Sequence, residues 1–88
     1  MDFVKGAVVL AKAGRDKGSF FTVLESDGAY ALICDGKRRS LECPKRKNCI
    51  HLSLTTAVLE AGSLQSNRAI RNALRSFSQK GRVPLEEG

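Results

Sequence analysis

Residues 6–23, GAVVLAKAGRDKGSFFTV, decide how this chain is read. Two apolar runs rich in Val, Leu and Phe flank the glycine-framed charged segment Gly14-Arg15-Asp16-Lys17-Gly18. That pattern predicts two antiparallel strands and their connecting loop. Glycines at 14 and 18 open backbone geometry closed to other residues and let a ligand come close, and Arg15 and Lys17 stand where phosphate oxygens can meet them. On spacing alone, a hairpin with solvated charges explains the segment equally well.

Working outward, strand signals follow at short intervals: Ala7 to Lys12, Phe20 to Glu25, Ala29 to Cys34, a shorter Arg39 to Glu42, and Cys49 to Leu54. Asp27-Gly28 and Asp35-Gly36 supply the positive φ that tight turns require. Pro44 is expected to end the fourth strand and open a basic loop over Lys45, Arg46, Lys47 and Asn48. Thr55 or Thr56 opens a short helical turn through Ala61, which Gly62 stops. Five short strands with tight turns predict a mainly β fold, a small five-stranded barrel over residues 1–60. Residues 61–88 form a C-terminal extension.

Within that extension NRAIRNALRSFSQK, Asn67 to Lys80, has helical period. Ser66 or Asn67 is its N-cap and Gly81 its C-terminal stop. A rotation of about 100° per residue puts Ile70, Ala73, Leu74 and Phe77 on one face, and Arg68, Arg71 and Arg75 on the other. Lys80 and Arg82 lie near its end. A helix this short is marginal alone, so its apolar face should dock on the strands or on a partner. The final VPLEEG is expected to fray.

Charge is distributed unevenly. The 88 residues carry 15 Lys and Arg against 9 Asp and Glu. Residues 1–35 hold four cations and five acids, whereas residues 36–82 hold eleven cations and two acids. A basic protein of this size points to an anionic partner. The densest signal is Lys37-Arg38-Arg39 followed by Lys45-Arg46-Lys47, six cations in eleven residues opposed by Glu42. A charge run is often only a solvated face, but two runs at either end of one short strand are carried to neighbouring surfaces. Guanidinium forks and ammonium point charges both suit a phosphate backbone.

The opening segment resembles the KOW motif of RNA-binding and ribosomal proteins, matched by Gly6, Val8, Gly14, Lys17, Gly18 and Val23. The sequel YALICDG at 30–36, then Arg39, then IHLSLT at 50–55, is similar to the N-terminal barrel of the fourteenth large-subunit ribosomal protein of archaea and eukaryotes, and to small bacterial KOW-domain proteins. The resemblance covers roughly residues 3 to 56. It implies an SH3-like barrel that binds structured RNA through loops and the barrel edge, with Arg15 and Lys17 facing RNA. The Phe20-Phe21 pair departs from the motif. One ring should face the core, since neighbours on a strand point to opposite sides; the other stacks on a base or packs beneath the C-terminal helix.

Other chemistry is weakly written. Cys34, Cys43, Cys49 and His51 lack the tight Cys-x2-Cys pairing of structural zinc sites, so no metal is expected; the thiols read as reduced core or boundary residues and His51 as a strand residue facing solvent or RNA. Asp16, Asp27 and Asp35 stand at turn positions, where Asp serves local hydrogen bonding. Nothing orients the single imidazole towards a nucleophile. The expectation is a binding module, not an enzyme, with no cofactor and no small-molecule substrate. No apolar run approaches the roughly 20 residues of a membrane span and the N-terminus does not read as a secretory signal, so no membrane partner and a cytoplasmic location are expected. The function expected is RNA binding in the translation apparatus, on ribosomal RNA or at the ribosome with ribosomal proteins as further partners, using Arg15, Lys17, Lys37, Arg38, Arg39, Lys45, Arg46, Lys47, Arg68, Arg71 and Arg75. The alternative is an SH3-like module docking on an acidic protein of the transcription or translation machinery.

Overall fold

A computed structural model describes residues 3–75. Five antiparallel strands, β1 (Ala7–Ala11), β2 (Phe20–Ser26), β3 (Tyr30–Cys34), β4 (Lys45–Asn48) and β5 (Leu52–Val58), form one sheet in the order β4-β3-β2-β1-β5. A helix, α1, follows and occupies residues 67–75 of the described chain. The expected helix end, with Phe77, Lys80, Gly81, Arg82 and the VPLEEG tail, lies outside the described residues.

Alternation within the strands divides the apolar residues between two cores. Ala7, Val9, Ala11, Phe21, Val23, Ala31 and Ile33 project to one side, where Cys49 and Leu52 join them. Val8 and Cys34 project to the other and are covered by Ile70 and Leu74 of α1, with Phe20, Leu24, Leu41, Ala57, Leu59 and Leu64 around them. Both phenylalanines are therefore packing residues, Phe21 in the first core and Phe20 against the second. The apolar stripe of α1 docks on the sheet as its periodicity requires, and Arg68, Arg71 and Arg75 remain exposed. Ser66 is the N-cap, its Oγ accepting from the Ala69 N–H at 3.1 Å.

Several elements depart from expectation. Arg39 to Glu42 is a set of bends and not a strand, because side chains take the backbone donors a ladder would use. Asp35 Oδ1 accepts from the N–H groups of Lys37 and Arg39, Ser40 Oγ from Cys43, and Asn67 Oδ1 from Leu41 at 2.7 Å. The basic stretch expected to be a loop is β4, paired to β3 in the register Ile33↔Lys45, Leu32↔Arg46, Ala31↔Lys47 and Tyr30↔Asn48. Finally, Cys49–His51 is a 3₁₀ turn whose Ile50 N–H is accepted by Asn48 Oδ1, so β5 begins only at Leu52. His51 is thus an exposed turn residue and not a strand residue.

Strand β5 also overruns the expected helical turn, since Thr55 and Thr56 are β-branched and extend it to Val58. The pairing with β1 is irregular there, between Ala7 and Val9, and Thr55 Oγ1 donates to the Val8 carbonyl at 2.8 Å. A 3₁₀ turn, Ala61–Leu64, comes after and contains Gly62 instead of ending at it.

Candidate functional site

The β1–β2 loop and the segment between β3 and β4 emerge from the same end of the sheet, because Phe20 opens β2 while Cys34, two residues deeper in register, closes β3. In the first loop, Lys17 N–H is accepted by the Gly14 carbonyl and Ser19 N–H by that of Asp16. Gly14 and Gly18 both have positive φ. These consecutive turns fold the Asp16 side chain inwards, leaving the residue 3% exposed, while Arg15 and Lys17 point to solvent.

Asp16 is where the two basic segments meet. Its carboxylate is paired with the Arg39 guanidinium at 3.6 Å and with that of Arg38 at 3.7 Å. Arg39 is mostly covered, and Arg38 remains 70% exposed and able to take a further partner. A third segment is joined by Lys47, which reaches from β4 to donate to the Ala13 carbonyl at 2.9 Å. Lys45 is half-buried on the same strand face, and Lys37 is exposed at the turn.

The first turn of α1 closes on this region. Asn67 accepts from Leu41 N–H and donates to Glu42 Oε1 at 3.0 Å, and this bond holds the Glu42 carboxyl below its usual range. Gly36, at φ +76°, lies so close beneath the helix that a Cβ there would meet the Asn67 carbonyl oxygen. Arg71 abuts the same turn through its backbone nitrogen, whereas Arg75 lies two helical turns beyond Arg68.

Residues Arg15, Lys17, Lys37, Arg38, Arg39, Lys45 and Lys47 thus come together, with Arg68 and Arg71 on the adjoining helix. Arg46 does not join them. Its strand position places it on the opposite face, opposite Leu32, with its guanidinium 4.2 Å above the centre of the Tyr30 ring. Two residues that organise the site, Asp16 and Asn67, present themselves in the sequence only as turn and cap residues. The one signal pointing to Asp16 is its place at the centre of a basic loop, and Asn67 carries none beyond its position at the helix start.

The thiols of Cys34 and Cys49 are buried and that of Cys43 is exposed on the bend, so Cys43 is not a boundary packing residue; all three are free. Among the described residues, no three His, Cys, Asp or Glu side chains are grouped as metal ligands, and no helix is long and apolar enough to cross a membrane. No protein-family model matches the chain, and no curated protein matches it significantly.

Proposed function

We propose that this chain is a cytoplasmic RNA-binding protein of the translation apparatus, an SH3-like barrel of KOW type that grips the phosphate backbone of structured ribosomal RNA. One observation carries the reading: Asp16 and Lys47 tie the loop 14–18, the turn 35–39 and the strand Lys45–Asn48 into one cationic end of the sheet. Exposed Arg15, Lys17, Lys37 and Arg38 supply the phosphate contacts, and Arg68 and Arg71 extend them along α1. Arg38, held by Asp16, loses less freedom on binding than a solvated cation would, which favours a fixed phosphate contact there.

The test is a salt series of affinity for a structured ribosomal RNA fragment. With about six phosphate contacts, affinity falls by roughly a thousandfold between 50 and 200 mM salt. Absence of binding at low salt would sink the reading. A partner retained after nuclease treatment of an extract would assign the surface to an acidic protein instead.

A further inference from the structure

Far from the Asp16 cluster, the β2–β3 hairpin and β4 form a groove of about 260 Å³ lined by Glu25, Ser26, Asp27, Tyr30, Ala31, Leu32 and Arg46. Its volume lies below the roughly 300–1,000 Å³ of pockets that take drug-sized ligands, leaving room for one planar ring system. A register shift builds it. Val23 pairs with Ile33 but Glu25 pairs with Leu32, so the extra residue Leu24 is a bulge that turns Glu25 onto the Leu32 face. With unbroken alternation Glu25 would lie opposite Ala31, on the side of the first core.

The lining selects its occupant. Arg46 stacks on Tyr30 at 4.2 Å, presenting a flat cationic plane whose outer side is exposed. Asp27 is fixed in place because its Oδ1 accepts from the N–H groups of Ala29 at 2.9 Å and Tyr30 at 2.8 Å. Those bonds, with help from Arg46, keep its carboxyl below the usual range. Glu25 makes no ion pair among the described residues. An anion would face two carboxylates and a cation would face Arg46. A neutral planar ring with hydrogen-bond donors on its edge conflicts with neither.

We infer that this groove is a site for a single unpaired nucleobase stacked on the Arg46 guanidinium, with the Glu25 carboxylate accepting from its amino and imino donors. The inference rests on the RNA-binding reading and adds a base reader to a surface that otherwise senses shape and charge. Guanine fits best, since adjacent N1–H and N2–H donors match the two carboxylate oxygens. Uracil fits worst, because its single ring donor is flanked by two acceptors.

Tyr30 is the single tyrosine and the chain has no tryptophan, so its emission reports on this groove directly. Titration with the pentanucleotide UUGUU, corrected for inner-filter absorbance, should quench Tyr30 emission and show affinity roughly tenfold above that for UUUUU. Glu25→Gln should collapse that preference while leaving binding of the structured RNA fragment within about twofold. Arg46→Lys, which keeps the charge and loses the plane, should also abolish the preference for UUGUU. Equal affinity for both pentamers, or a preference surviving in Glu25→Gln, overturns the base site. If the structured RNA still binds, only this inference has failed; if neither RNA binds, the RNA-binding reading has failed.

Discussion

The Asp16 carboxylate lies 3.6 Å from the Arg39 guanidinium, joining the β1–β2 loop to the turn after β3. Asp16 is buried, so this acid acts as a brace inside a cationic surface. Replacing it by Asn removes the compensating charge for a mostly covered arginine, a loss of about 1–3 kcal/mol in stability. Simple electrostatics says that removing an acid raises RNA affinity; bracing says that Asp16→Asn lowers it. Chemical denaturation and RNA titration on the same variant decide, and a rise in affinity would sink the bracing role.

The cationic segments should not contribute equally. Neutralising Arg15 and Lys17 to Gln is expected to weaken RNA binding less than neutralising Lys45, Arg46 and Lys47, because Lys47 also holds the Ala13 carbonyl. The slope of log affinity against log salt should become shallower by roughly 0.7–0.9 for each phosphate that the variant no longer neutralises. Titrations at several salt concentrations read both quantities.

Two glycines separate backbone strain from steric crowding. Gly18 has φ +88° and open space around it, whereas Gly36, at φ +76°, would press a methyl group onto the Asn67 carbonyl. Gly18→Ala should cost about 1 kcal/mol from the left-handed backbone alone. Gly36→Ala should cost at least about 2 kcal/mol and loosen α1, seen as faster amide exchange at Ile70 and Leu74. Equal costs at the two positions would contradict the close packing of α1 on that turn.

The thiols should react in a fixed order. Cys43 is exposed and is expected to be alkylated first, while burial, reinforced by the neighbouring Asp35 charge, pushes Cys34 up to about 11 from 9.0. A group raised in the folded state contributes stability that is present below its unfolded value and lost as pH rises through the folded one. Stability should therefore fall between about pH 9 and 11, by up to about 2–3 kcal/mol. Denaturation midpoints of the wild type and Cys34→Ala across this range would show the slope diminished in the variant.

The first three strands are legible because Ala7–Ala11, Phe20–Ser26 and Tyr30–Cys34 are short, near-continuous apolar runs, as strands buried on both faces require, between turns built on glycine and aspartate. Strand β4 is not, since Lys, Arg and Asn have low strand propensity and the pairing comes from the open edge of β3. Arg39 to Glu42 misleads for a related reason: the Leu41 N–H is accepted by Asn67, 26 residues away, and no local window contains that bond. The cations themselves are readable, but their assembly is not. Asp16 has the composition of an ordinary turn residue, and only the fold brings Arg38 and Arg39 against it.

Strand β4 forms one outer rim of the sheet, paired with β3 on one side and with no strand on the other among the described residues. A bare rim of this kind invites another chain to add itself as a sixth strand, and Lys45, Arg46 and Lys47 answer with like-charge repulsion between copies. The cations of β4 would thus keep the protein from polymerising whether or not RNA is present. A variant with a neutral β4 would then self-associate as its concentration rises, and sedimentation velocity would register this even in a buffer free of nucleic acid.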